Sequence, residues 1–254
     1  MMKLTIITIN YNDKAGLLST MKSVAAQTSH NYEYVVIDGG SSDGSVEVIR
    51  NYEDIVDFWT SEKDSGIYNA MNKAVCHATG DYCLFLNSGD KFYRDDVLER
   101  VIPLLASGED YITGRELMIR NSKPFVLHMP PRHVSSSFFI KTSLRHQASF
   151  IRRSVLLDNC YDESLRLVSD WKHSVETLVT NHGTYKPIKI IVDICERDGR
   201  TLHQEEIGKK EKRKVLKELF PEHDFKQTLM MRLVKKLSHY RDVINARLIW
   251  MFDC

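Results

Sequence analysis

The chain has 254 residues, enough for one large domain or a domain with an appendage. Its hydrophobic fraction of 43% can fill a sizeable core, and its formal charge of +1 provides no global field for holding nucleic acid. Five scattered cysteines (Cys76, Cys83, Cys160, Cys195, Cys254) show no CxxC pair and no metal-ligand spacing, and their odd number and scatter fit reduced thiols in the cytoplasm.

The N-terminus enters a strand-like run, Leu4 to Ile9, without the basic start, apolar stretch and cleavage site of a signal peptide. Turn formers follow from Asn10 to Asp13, and Leu17, Leu18, Met21, Val24 and Ala25 then recur at helical spacing. Tyr34 to Ile37 predicts a second strand, ending in the turn Asp38 to Gly44 (DGGSSDG) before a helical pattern at Val46, Val48 and Ile49. Phe58 and Trp59 mark a third strand, Ile67 to His77 a helix stopped by Gly80, and Tyr82 to Leu86 a fourth strand ending at Asn87–Asp90.

Strands alternating with helices predict an α/β fold with a mostly parallel sheet covered on both faces, whose ligands bind beyond the carboxyl ends of the strands. Asn10, Asp38, Asp64 and Asp90 all fall at those ends. From Tyr111 the pattern loosens, with Pro124, Pro130 and Pro131 interrupting it and Ser135–Ser137 reading as loop. His146–Ile151 predicts a strand leading into a helix, Leu167–Trp171 opens another helix, and Ile188–Ile194 is a late strand. The expected division is a main domain over 1–205, with halves at about 1–107 and 108–205, and a basic amphipathic helical tail over 206–254.

Three carboxylates could carry chemistry. Asp38 could accept from a nucleotide base or ribose, or simply form an Asx turn or helix cap. Asp90, just past a buried strand, suits a hard divalent cation that takes one or two protein oxygens and the rest from phosphates. Asp170 could cap a helix or act as a general base. His146 and His203 are further candidate metal or phosphate ligands, with an ordinary surface or core histidine as the alternative. The glycines after Asp38 form neither GxGxxG nor a Walker loop.

Taken in order, several segments resemble the family 2 glycosyltransferases, which have the GT-A fold. They are Thr5–Asn12 (TIITINYN), Ser23–Gln27 (SVAAQ), Val35–Gly44 (VVIDGGSSDG), Ser61–Ala74 (SEKDSGIYNAMNKA) and Phe85–Asp90 (FLNSGD). His146–Phe150 (HQASF) and Ser169–Trp171 (SDW) extend the resemblance more loosely to about residue 175. It implies an inverting transferase that uses a nucleotide-sugar donor, by family habit UDP-linked, and builds bacterial surface glycan. Thr8, Asn10 and Tyr11 then look like strand-end residues around the nucleotide. Asp38 matches the base-contacting aspartate, and Asp64, with Lys63 beside it, matches a second donor-site acid. Asn87 and Ser88 fall in the donor loop, in the place of the family's DxD-type motif, with Asp90 as the ligand of a divalent cation (Mn2+ or Mg2+). The motif departs from the family at Gly89, where a carboxylate is missing. Asp170 matches the catalytic base of inverting members.

The acceptor is expected to be a saccharide or a lipid-linked saccharide, with His128 and Arg132 as candidate contributors from the segment 108–144. Residues 226–254 hold six Lys/Arg against two acids, and Leu229, Leu233, Leu237, Tyr240, Ile244 and Leu248 lie along one helical stripe. Such a helix could lie on an anionic membrane surface, or pack on its own domain or on a second copy in a homo-oligomer. The alternative readings are a non-catalytic nucleotide-sugar binding module, which Gly89 keeps open, and a nucleotidyltransferase, for which the glycine-rich basic loop near the N-terminus is missing.

Overall fold

The computed structural model describes residues 2–121, 123–196, 205–221, 242–243 and 245–246. Four strands form a parallel run in the order β3-β2-β1-β4: β1 (Leu4–Asn10), β2 (Tyr32–Asp38), β3 (Phe58–Ser61) and β4 (Tyr82–Phe85). Between them lie α1 (Lys14–Ala25), α2 (Ser45–Arg50) and α3 (Ile67–His77).

These strands read as unbroken apolar runs because both faces are covered. Side chains alternate across a strand, so Ile7, Ile9, Val35, Ile37, Cys83 and Phe85 face α3, while Leu4, Ile6, Tyr34, Val36, Tyr82 and Leu84 face α1 and α2. At the end of the sheet away from the site, buried Glu33 accepts from Thr5 Oγ1 at 2.5 Å and Thr79 N at 2.7 Å, tying β2 to β1 and to the approach to β4.

After β4 come β5 (Lys91–Phe92), α4 (Val97–Val101), β6 (Tyr111–Arg120) and β7 (Lys123–His128). They are followed by α5 (Ser136–Lys141), β8 (Ser149–Arg152), α6 (Arg153–Asp158), α7 (Ser169–Val175), β9 (Tyr185–Glu196) and α8 (Glu205–Leu219). β8 is antiparallel to both β4 and β6, and β9 runs parallel to β6, so one curled sheet, parallel over most of its register, joins both halves of the chain.

The stretch in which sequence periodicity fades is therefore built from strands. Pro124 sits in β7, which among the described residues pairs only with β6, an edge position where a missing N–H is tolerated. Ser135–Ser137, expected as loop, instead starts α5: Ser135 Oγ accepts from Phe138 N, so the serines are a cap and first turn.

The sequence separates 206–254 as a tail, but α8 buries Val215 and Leu216 in the same cluster as Trp171 and Val175. Glu211 of α8 accepts from Arg166 N at 2.8 Å and Leu167 N at 3.0 Å, bracing the segment that leads into α7. Further on, Ala246 is fully buried beside Leu117, Ile119 and Leu127 of the β6–β7 pair. No helix among the described residues is long and apolar enough to cross a membrane.

Candidate active site

The strand register brings Asn10, Asp38 and Ser61 side by side at the carboxyl ends of β1, β2 and β3. Asp38 is fully buried, and each of its oxygens takes two hydrogen bonds. Oδ1 accepts from Asn10 Nδ2 at 2.7 Å and Ser41 Oγ at 2.6 Å, and Oδ2 from Ser41 N at 2.8 Å and Ser61 Oγ at 2.6 Å. Burial opposes ionisation, but the Ser41, Ser61 and Asn10 donors outweigh it and hold the carboxyl below its ordinary range.

In this state Asp38 shapes the 38–44 turn, and a bound base would have to replace one of its serine partners. Asn10 is buried as well: it gives Nδ2 to Asp38 and accepts Ser88 Oγ on Oδ1 at 2.8 Å, so it ties the first turn to the donor loop. Thr8 does not line the site. Its buried hydroxyl donates to Leu86 O at 2.8 Å and lies 2.9 Å from Tyr34 OH, inside the sheet, because residue 8 shares a face with Asn10 but stops two residues short of the strand end.

Tyr11, 67% exposed, presents a ring at the mouth of the crevice. A Cβ on Gly39 would come 2.6 Å from Asp64 Oδ2 and 3.1 Å from Tyr11 Cδ2, so Tyr11 and Asp64 converge closely over the Gly39 backbone and a side chain there would have to push Asp64 aside. Asp64 Oδ1 accepts from Gly66 N at 3.0 Å, and Lys63 is exposed with its backbone against Gly40.

The loop Asn87–Asp90 is held by a residue that the sequence did not single out. Thr20 of α1 accepts from Gly89 N at 3.0 Å and places its hydroxyl 2.8 Å from Asp90 O and 3.1 Å from Asn87 O. Gly89 has φ of +98°, which gives a local reason for a glycine where the family motif has a carboxylate. Asp90 is nearly buried; burial lifts its pKa to about 6, with the charge of His146 opposing and that of Glu116 adding to the shift.

No group of three or more His, Cys, Asp or Glu among the described residues is arranged to hold a metal. What the loop offers is the Asp90 carboxylate and Asn87 Oδ1, a buried oxygen without a hydrogen-bond partner. That donor set fits a hard cation that draws its remaining ligands from phosphates.

Asp170 lies in the first turn of α7, a helix anchored by Trp171 Nε1 donating to Phe139 O at 3.0 Å. Its Oδ1 accepts from Tyr68 OH at 2.9 Å and its Oδ2 lies 3.0 Å from His146 Nδ1. Burial would raise its pKa, but the hydrogen bond and charge of His146 and the Tyr68 hydroxyl prevail, so the carboxyl stays ionised below the usual range.

His146, expected as a candidate metal ligand, instead commits Nδ1 to Asp170 and sets Nε2 3.3 Å from Asn87 Nδ2. Burial lowers its pKa, but the Asp170 bond and the charges of Asp170, Asp90 and Glu116 raise it overall. His203 lies outside the described residues. Of the acceptor-side candidates, His128 accepts from Arg145 Nη2 at 3.0 Å, and Arg145 Nε is 3.5 Å from buried Glu116, two partners that sequence alone did not reveal.

A sheet-end crevice with an aromatic ring and acids on one side, a buried aspartate loop in the middle and an ionised carboxylate opposite defines a GT-A-type sugar transferase. The family model for glycosyl transferase family 2 matches residues 5–172, and the chain belongs to that family. A glycosyltransferase of uncharacterised specificity from Mycobacterium tuberculosis is 32% identical over 206 residues, covering 76% of this chain and 74% of that protein. The putative teichuronic acid biosynthesis glycosyltransferase TuaG of Bacillus subtilis is 32% identical over 133 residues, covering 50% of this chain and 52% of its own.

Among solved structures, S. aureus TarS 1–349 in complex with UDP-GlcNAc superimposes with a TM-score of 0.62 at 18% identity, over 77% of this chain and 59% of that one. The mannosyltransferase PcManGT of Pyrobaculum calidifontis, in complex with GDP-Man and Mn2+, gives a TM-score of 0.63 at 15% identity over 96% of this chain and 72% of its own. These likenesses show the fold.

Proposed function

We propose that the chain transfers a sugar, with inversion, from a nucleoside diphosphate sugar to a hydroxyl of a saccharide or lipid-linked saccharide during synthesis of a bacterial surface glycan. The observation that carries this reading is the hydrogen-bonded chain Asp170–His146–Asn87, which links an ionised carboxylate to the donor loop.

In the proposed reaction Asp170 takes the proton of the acceptor hydroxyl while that oxygen bonds to the anomeric carbon, and the bond from that carbon to the diphosphate oxygen breaks on the opposite side. Tyr11 would stack on the base, Asp64 and Lys63 would meet its polar edge or the ribose, and Asn10 and Ser88 would hold the turn and the loop in register. Asp90 and Asn87 would hold a divalent cation, Mn2+ or Mg2+, which when bound neutralises charge developing on the leaving diphosphate. The donor is proposed to be UDP-linked, in keeping with the family habit.

The basic segment 226–254 would serve an anionic membrane surface on the cytoplasmic side; equal recovery on anionic and neutral vesicles would count against that part. The core test is Asp170→Asn. Sugar transfer, followed as UDP release over a panel of UDP-sugars and saccharide acceptors, should fall at least about a hundredfold, the range of general-base catalysis. UDP binding in Mn2+ should stay near that of the native protein. Undiminished transfer in the variant would remove Asp170 from the mechanism.

A further inference from the structure

We infer that Glu116 and Asp193 form the subsite for the ring hydroxyls of the donor sugar, and so select which sugar is transferred. The inference rests on the reading of the crevice as a nucleotide-sugar site. Both carboxyls are buried, Glu116 at 2% exposure and Asp193 at 0%. Glu116 Oε1 and both oxygens of Asp193 have no hydrogen-bond partner. An orphaned oxygen is costly in a folded core, and two orphaned carboxyls side by side are more so. A ligand that brings donors supplies the missing partners.

The backbone is irregular at the place that creates this pair. β9 runs parallel to β6 with Arg115 opposite Ile191, but Glu116 is opposite Asp193. The residue of β9 skipped between them is Val192, which packs in the core. In an unbroken ladder Val192 would face Glu116, because a slip of one residue exchanges the faces of a strand. The bulge therefore replaces an apolar neighbour by a second carboxyl, and bulges re-aim side chains in this way beside functional sites. Across the other edge Glu116 is opposite His128 of β7. His128 Nε2 lies 3.7 Å and Arg145 Nε 3.5 Å from Glu116 Oε1, near enough for charge to act, yet Oε1 takes no hydrogen bond from either.

The pair borders the place where the sugar must lie. Transfer needs the anomeric carbon between the Asp170 carboxylate and the diphosphate at Asn87 and Asp90. His146 spans those groups, 3.0 Å from Asp170 and 3.3 Å from the Asn87 side-chain amide. Arg145, the preceding residue, reaches Glu116. Asp193 is tied to the donor loop through Phe92, its partner on β5, two residues after Asp90. Arg145 and His128 are partly exposed and bonded to each other at 3.0 Å, so they can turn aside together without giving up a hydrogen bond to Glu116 Oε1.

Sugar hydroxyls suit such a floor, since they are neutral donors and a carboxylate accepts from them in strong, charge-assisted bonds. A sugar without the matching hydroxyl leaves the carboxyl unpaired, which gives strong discrimination. A cation cage fits less well, because no group of three or more His, Cys, Asp or Glu among the described residues is arranged as one.

The test separates sugar recognition from nucleotide binding. UDP, UDP-glucose, UDP-galactose and UDP-N-acetylglucosamine are titrated calorimetrically in Mn2+, followed by the mono-deoxy analogues of the tightest donor. Glu116→Gln keeps the shape and removes the charge. It should weaken the UDP-sugar by about 10–100-fold and UDP by less than about twofold. One deoxy analogue should bind the native protein about 10–100-fold more weakly than its parent, whereas Glu116→Gln should bind the two alike. Asp193→Asn should also weaken the UDP-sugar, while Tm rises by about 2–4 °C because a buried carboxyl gives way to an amide that can donate to its neighbour. Equal losses for UDP and UDP-sugar, an unchanged parent-to-deoxy ratio in Glu116→Gln, or a lower Tm in Asp193→Asn would overturn the proposal and make the pair a structural element. If the native protein binds neither UDP nor any of the UDP-sugars, the reading of the crevice as a UDP-sugar site fails first, and the subsite with it.

Discussion

Thr20→Val tests whether the donor loop is built by α1. The two side chains have nearly the same shape, so packing of the buried position is kept and only the hydroxyl is lost. Gly89 N–H loses its acceptor at 3.0 Å and the Asp90 carbonyl loses its donor at 2.8 Å, whereas Asn87 O still accepts from Asp90 N at 2.9 Å. Two buried backbone groups at about 1–3 kcal/mol each, discounted because the loop is half open to water, give a loss of about 2 kcal/mol. For a chain of this size that corresponds to a fall in Tm of about 4–8 °C.

Because the loop carries Asn87 and Asp90, UDP affinity in Mn2+ should fall as well, by about tenfold for each 1.4 kcal/mol that the bound loop conformation must recover. Differential scanning calorimetry and titration calorimetry read the two effects. A Tm within about 1 °C of native, together with native UDP affinity, would refute the assignment of Thr20 as the support of the loop.

Tyr68→Phe removes a charge-assisted bond to Asp170 worth about 1.5–3 kcal/mol, so the Asp170 pKa rises and the acid limb of the kcat profile moves to higher pH; an unmoved acid limb would argue against the contact. Asp90→Ala should abolish the dependence of UDP binding on Mn2+, checked by titrating the metal at fixed UDP; retained metal dependence would place the cation elsewhere. Burial of His173 against Tyr111 pushes its pKa down to about 4. The unfolded chain binds the proton more readily, so this stability is present above about pH 6.5 and is lost as pH falls toward 4, by at most about 1.4 kcal/mol per pH unit. His173→Asn should flatten the Tm profile over that window, and an identical slope in the variant would show that other groups carry the acid sensitivity.

The parallel run β3-β2-β1-β4 was legible because strands buried on both faces leave unbroken apolar runs, and because turn residues and glycines mark their ends. Asp38, Asp90 and Asp170 could be named from the sequence for the same reason: a carboxylate after an apolar strand or at a helix start is conspicuous, and the ordered motifs of the family supplied roles.

What periodicity could not reveal was direction and partnership. Thr8 and Asn10 are both polar residues on the same face of β1, yet Thr8 is enclosed by Tyr34 and Leu86 within the sheet, whereas the strand end leaves Asn10 as the hub between Asp38 and Ser88. β6 and β7 are strands whose apolar pattern is broken by Gly114, Arg115 and Pro124, and only pairing with β8 and β9 gives them a place. Thr20, Tyr68 and His146 lie 67, 102 and 24 residues from the groups they hold, Asn87, Asp170 and Asp170. Hydrogen bonds over such separations leave no local signal in the chain, so the candidate acids were set by sequence, whereas their orientation and ionisation were decided by the closing of one sheet across both halves.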